Sequence, residues 1–203
     1  MSGFDFCLIT NRRLCPEELT QRVGRVLSAG FTQVMLREKD LPEAELESLA
    51  GRLALTAKRE QAGLIVNSSL RAAETSAAQG LQLPFPLFLE LKNSPRLKFF
   101  EVGVSIHSLE EALAAQAAGA HRLVAGNIFE TTCKPGLKAR GIEFLSLLTG
   151  HIKIPIWAVG GLTPDHAALV RKHGASGLCV MSSLMTGHDP EREAADYIKT
   201  AGR

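Results

Sequence analysis

The strongest constraint on this chain is a rhythm. Eight short apolar runs recur along its 203 residues, separated by longer stretches rich in Ala, Leu and Glu at helical spacing. The runs lie near Phe4–Thr10, Thr32–Arg37, Leu64–Asn67, Gly80–Leu83, Glu101–Ser105, Arg122–Gly126, Pro155–Gly160 and Gly177–Met181. Each is short enough for a strand, and several are apolar at nearly every position, as expected when both faces are covered. Helices are expected over Glu17–Ala29, Pro42–Gln61, Ser69–Ala78, Leu109–Ala118, Pro164–His173 and Pro190–Ala201. The Pro84–Lys98 stretch holds three prolines and reads as a connection. Punctuation supports the rhythm. Ala29-Gly30, Ala62-Gly63, Gln79-Gly80, Ala118-Gly119 and His173-Gly174 each close a helix with a glycine suited to a left-handed C-cap. Ser108 with Glu111 reads as a capping box, and Thr163-Pro164 as N-cap and first helical residue.

Strands that alternate with helices form a parallel sheet. Doubly wound sheets usually stop at five or six strands, so eight units point to a closed α/β structure, a single-domain (β/α)8 TIM barrel. Eight minimal units use nearly all of residues 1–203, and no linker or shift in composition marks a second domain. With 45% hydrophobic residues the chain can bury its own core. A net charge of +2 and an aromatic content of 5% give no footprint for nucleic acid or a membrane surface. No apolar run reaches the roughly 20 residues of a membrane span. Met1–Asp5 lacks a basic, apolar leader, so a cytoplasmic protein is expected. Cys7, Cys15, Cys133 and Cys179 lack metal-ligand spacing, and Cys7 and Cys179 read as core thiols.

In such a barrel the site lies at the C-terminal ends of the strands. Along the second strand, Arg37 shares a face with Met35, and Lys39 lies just beyond. Along the fifth, Gly103 and Ser105 face the barrel axis and His107 continues that row at the mouth. An imidazole titrates near neutrality, so His107 is the leading acid/base residue. The segments Val159-Gly160-Gly161-Leu162 and Met181-Ser182-Ser183 end strands seven and eight, where backbone N–H groups can hold a phosphate. The segment Gly126–Leu137, with Thr131, Thr132 and Lys134, suits a lid over an anionic ligand. Cys133 beside Lys134 reads as a ligand contact or a bystander. Between Asp40 and Asp165 there is no aspartate, which argues against magnesium-dependent diphosphate chemistry.

These segments resemble the thiamine phosphate synthase superfamily over nearly the whole chain. Met35-Leu36-Arg37-Glu38-Lys39 looks like its Q-L-R-E-K motif, and Val66-Asn67-Ser68-Ser69 like I-N-D-R. Gly103–Ser108 looks like G-x-S-x-H, Gly126–Lys134 like G-x-I-F-x-T-x-x-K, and Ala158–Leu162 like A-I-G-G-I. Gly177–Ser182 looks like the terminal phosphate loop. The synthase motifs imply a glutamine, an aspartate after the asparagine and a second aspartate past strand four. This chain has Met35, Ser68 and the Asp-free Pro84–Lys98 stretch there.

The segments Gln82–Pro84, Ser105–Glu111 and Phe129–Lys134 resemble instead the TenI-type thiazole tautomerases. That resemblance implies an isomerase that needs no metal or cofactor. It would turn the non-aromatic 2-carboxythiazole phosphate tautomer into the aromatic one. His107 would be the acid/base. Arg37, Lys39, Asn67, Ser105, Thr131, Thr132 and Lys134 would contact substrate, and Gly160, Gly161, Met181 and Ser182 the phosphate. Homo-oligomers, dimers or larger, are frequent in the family. Two alternatives stay open: a synthase with an altered metal site, and a non-catalytic regulator or ligand-binding relative.

Overall fold

A computed structural model describes residues 3–131 and 138–202. Its eight strands are β1 (Asp5–Ile9), β2 (Gln33–Leu36), β3 (Gly63–Asn67), β4 (Gly80–Pro84), β5 (Glu101–Ile106), β6 (Arg122–Ala125), β7 (Ile156–Val159) and β8 (Gly177–Val180). Each pairs in parallel with the next, and β8 returns to β1, with Asp5 opposite Gly177 and Cys7 opposite Cys179. The expected (β/α)8 barrel is therefore closed. The helices around it are α1 (Leu19–Ser28), α2 (Glu43–Arg59), α3 (Leu70–Thr75), α4 (Phe85–Leu91), α5 (Leu109–Ala117), α6 (Gly141–His151), α7 (Pro164–Lys172), α8 (Ser182–Thr186) and α9 (Pro190–Ala201). Among the described residues no helix is long and apolar enough to cross a membrane.

All eight strands stand where the apolar runs predict them. Two helices do not. The Pro84–Lys98 stretch is α4 followed by a 3-10 turn over Pro95–Phe99 rather than a plain connection. Its prolines fall at the first turns, where a missing N–H costs nothing. Helix α6 has weak helix formers near both ends, Gly141 and Thr149-Gly150, yet it buries Leu145 and Leu148 against the barrel. Tertiary packing outweighs propensity there.

Alternation along the strands builds two cores. Leu8, Val34, Leu36, Val66, Leu81 and Val104 belong to the large layer between barrel and helices. Cys7, Ile9, Met35, Ile65, Val124, Trp157 and Cys179 fill the barrel itself. Burial pushes the Cys7 thiol up, consistent with an inert core thiol.

The interior is filled by laying large side chains over glycines on the next strand. Gln33 lies opposite Gly63, Ile65 opposite Gly80, Gln82 opposite Gly103 and Trp157 opposite Gly177. A Cβ on Gly177 would stand 2.7 Å from the Trp157 ring, and one on Gly80 would stand 2.9 Å from Ile65. This corrects the C-cap reading for two glycines. Gly30, Gly119 and Gly174 do take left-handed conformations, but after α2 and α3 it is Gln61 and Ala77 that do so. Gly63 and Gly80 lie within strands and make room for Gln33 and Ile65.

Gly177→Ala is expected to destabilise the protein by about 1–3 kcal/mol, because the buried indole cannot move aside. Gly51→Ala, in the interior of α2 with open space around it, is expected to stabilise by roughly 0.5–1 kcal/mol. Denaturant unfolding of the two variants checks both signs.

Candidate active site

The C-terminal ends of the strands form one rim. At β2, the Arg37 N–H donates to Oγ1 of the fully buried Thr10 at 3.0 Å, which fixes where the chain leaves the strand. The buried Glu38 carboxylate accepts from the Arg12 backbone N–H at 3.0 Å and from its guanidinium at 3.2 Å. The same guanidinium meets Asp40 at 2.7 and 2.6 Å and holds its carboxyl well below the usual carboxylate range. Both carboxylates that flank Lys39 are thus committed to Arg12, while Arg37 and Lys39 lie half-buried and exposed beside them.

At β3, Asn67 Nδ2 donates to Ser68 Oγ at 2.5 Å, and Ser68 itself is left-handed at φ 66°. Ser69 caps α3 by accepting from the Ala72 N–H, and it also pairs with Glu43. On β4 and β5, Gln82 Nε2 donates to Ser105 Oγ at 3.0 Å. His107 follows one step above Ser105, half-exposed at the mouth. Its backbone N–H donates to Glu111 Oε2 at 2.6 Å, and the same oxygen lies 3.8 Å from its Nδ1. The predicted capping box is therefore only half formed. Ser108 Oγ accepts from the Glu111 N–H, but the Glu111 carboxylate turns one residue further back, to His107.

After β6 the chain folds over β7. The Ile128 N–H donates to the Val159 carbonyl at 3.2 Å, and the Phe129 N–H to Gly160 at 3.0 Å. Gly160 and Gly161 have φ of 104° and 63°. A Cβ on Gly160 would stand 2.9 Å from Asn127 Cα, and one on Gly161 2.7 Å from the Phe129 carbonyl. This glycine pair is needed for backbone contact between two loops, whatever else it binds. Phe129 stacks on His166 of α7 at 3.7 Å and 4°. His166 Nδ1 in turn accepts from the Thr163 N–H, which completes the cap of α7. Thr131 continues this loop, half-buried. Thr132, Cys133 and Lys134 lie outside the described residues.

The two glycine and serine segments after β7 and β8 are joined by a residue that sequence reasoning passed over. Tyr197 of α9 is fully buried, and its hydroxyl donates to the Leu162 carbonyl at 2.7 Å. The same hydroxyl lies 3.3 Å from Ser183 Oγ, just after Met181 and Ser182. Buried Arg22 of α1 fixes the other end of α8, donating to the carbonyls of Leu184 at 3.3 Å and Gly187 at 2.6 Å. Gln82 was also missed as a site residue. Its signal was one polar residue between Leu81 and Leu83 in an otherwise apolar strand.

A family model described as thiamine monophosphate synthase (TMP-TENI) matches residues 6–184. The chain belongs to the TMP-TENI family. The thiamine-phosphate synthase of Pyrococcus furiosus is 33% identical over 195 residues, which are 95% of this chain and 91% of that protein. The thiamine-phosphate synthase of Moorella thermoacetica is 35% identical over 196 residues, 93% and 91% of the two chains. The solved structure of thiamine phosphate pyrophosphorylase from Pyrococcus furiosus superposes with a TM-score of 0.87 at 30% identity, covering 99% of this chain and 96% of that one. The TMP-TENI match thus identifies an enzyme family of thiamine biosynthesis.

Tyr197 is the only tyrosine of the chain, so its titration can be read alone. Burial pushes its phenol up to about 12 from an ordinary 10.0. A folded value above the unfolded one gives stability that is complete below pH 10 and lost as pH rises towards 12, about 2–3 kcal/mol in all. Tyrosinate absorbance is expected to appear only near pH 12 or on unfolding. Tyr197→Phe orphans the Leu162 carbonyl and is expected to cost roughly 1–2 kcal/mol in denaturant unfolding.

Proposed function

We propose that this TMP-TENI enzyme is a proton-transfer isomerase of thiazole phosphate. The observation that carries the reading is the pair His107 and Glu111 at the mouth of β5, above Ser105 on the axis-facing row. An imidazole there, with a carboxylate oxygen 3.8 Å from Nδ1, can take a proton and be stabilised as the cation. The substrate is the non-aromatic 2-carboxythiazole phosphate tautomer. His107 removes the proton from ring carbon C2, the C–H electron pair moves into the ring, and the exocyclic carbon takes a proton back from the imidazolium. Bonds and charge balance with no redox partner, and aromatisation drives the step.

Arg37, Lys39 and Lys134 offset the carboxylate charge. Asn67, Ser105, Thr131 and Thr132 orient the ring, and backbone N–H groups of Gly160, Gly161, Met181 and Ser182 receive the phosphate. The bridge through Tyr197 supports the last assignment, because it brings the two phosphate segments to one place.

A second reading is the synthase itself, and the names of the relatives favour it over the isomerase. That activity joins a pyrimidine diphosphate to thiazole phosphate with magnesium. The residues present do not fit that ion. Asn67 is followed by Ser68, and Glu90 is the only carboxylate of residues 84–98. Glu38 and Asp40 are bound to Arg12. Among the described residues no three His, Cys, Asp or Glu side chains gather as a metal site.

His107→Asn is expected to keep its affinity for carboxythiazole phosphate while losing at least about a hundredfold in turnover, followed as proton exchange by NMR. Glu111→Gln still accepts the His107 N–H, so it should fold normally and lose only a few-fold in turnover, with KM little changed. Wild-type turnover in His107→Asn overturns the isomerase. Sustained thiamine phosphate formation from the diphosphate, thiazole phosphate and magnesium establishes the second reading instead.

A further inference from the structure

Beneath the rim, two buried side chains carry polar atoms with no hydrogen-bond partner among the described residues. Gln82 is 1% exposed and Arg122 is 6% exposed, and both point into the barrel. Gln82 Oε1 and Arg122 Nη2 accept and donate no hydrogen bond there. Both lie over Gly103, in the space a Cβ would fill: Nη2 comes within 2.8 Å of that point, and Oε1 comes closer still. Arg122 is held from its other side by the Trp157 ring, 4.0 Å from its guanidinium carbon. A guanidinium only donates, so the amide end that shares its space must be the oxygen. The amide nitrogen is then turned towards Ser105, where it donates at 3.0 Å.

We infer that Gln82 is a positioning residue that presents the Ser105 hydroxyl as a hydrogen-bond donor towards the mouth. Oγ already accepts from Gln82, which leaves its own hydrogen free to turn towards the mouth. A ligand acceptor seated over Ser105, such as the carboxylate of a heteroaromatic acid, is therefore favoured over an amide N–H, which can use only the remaining lone pair of Oγ. The positive charge of Arg122 below favours the amide oxygen on that side, and Gly103 supplies the space that both side chains occupy. The ligand identity rests on the thiazole phosphate reading given above. The polarity of Ser105 does not.

The test uses Gln82→Glu, Ser105→Ala and the double variant. Glutamate keeps the shape and pairs with Arg122, so thermal melting should stay at or above that of wild type. Its carboxylate only accepts, and so draws the Ser105 hydrogen inward. Calorimetric titration with carboxythiazole phosphate should then show binding weakened by roughly tenfold to a hundredfold in each single variant, with no further loss in the double variant. Inorganic phosphate, which does not reach Ser105, should bind the single variants and wild type alike. Wild-type affinity in Gln82→Glu, losses that multiply in the double variant, or an equal loss for inorganic phosphate overturns the inference. Should Gln82→Glu fail to fold, Gln82→Met removes the bond that orients Ser105; a few-fold weaker binding of carboxythiazole phosphate supports the inference and wild-type affinity overturns it.

If wild-type protein binds no carboxythiazole phosphate, the functional reading fails by itself. The arrangement is then read without ligand, from the Gln82 side-chain amide signal in NMR. Slow hydrogen exchange that Ser105→Ala accelerates supports it. An amide that exchanges as freely as a surface glutamine overturns it.

Discussion

The structure depends on how the barrel interior is filled. In each of four neighbouring pairs a large side chain lies across a glycine on the adjacent strand, from Gln33 over Gly63 to Trp157 over Gly177. This is the small-against-large packing that a closed eight-stranded sheet needs, since every strand points half its side chains at one axis. Trp157 also carries Arg122 on its face, which helps to bury a cation inside the barrel.

The rim is organised from below and from behind. Arg12 draws the Glu38 and Asp40 carboxylates together beside Arg37. Gln82 supports Ser105, and Tyr197 reaches from the last helix to tie the loops after β7 and β8. Gly160 and Gly161 serve two ends. Their left-handed backbone lets the loop after β6 close onto β7, and the same bare backbone is what an anion site requires. A glycine pair in such a position therefore supports a phosphate site only together with other signals, here the serine segment that Tyr197 brings beside it.

The fold was legible because its signals are local. Eight apolar runs, glycines after helices and caps such as Ser108 and Thr163 act within a few residues of themselves, and each agrees with the same architecture. The misreadings came where local signals conflict with packing. Prolines suggested a loop where they begin α4, and glycines obscured α6. Gly63 and Gly80 looked like helix caps, although their partners are Gln33 and Ile65, distant in sequence. Of the site, residues at strand ends were legible, because strand polarity and side-chain alternation place them. Gln82, Glu111 and Tyr197 were not, because their importance lies in what they touch.

The sequence by itself determined the closed barrel and the row that carries Ser105 and His107 to its mouth, since these follow from alternation and order along the chain. It also determined the absence of aspartate between Asp40 and Asp165, which bears directly on what the rim can bind. Only the tertiary structure decided that Glu111 turns to His107, that Arg122 and Gln82 share the space over Gly103, and that one tyrosine joins two loops. Each of these is a contact between residues whose relative position is fixed by closure and packing, and neither composition nor periodicity encodes a distance across a barrel.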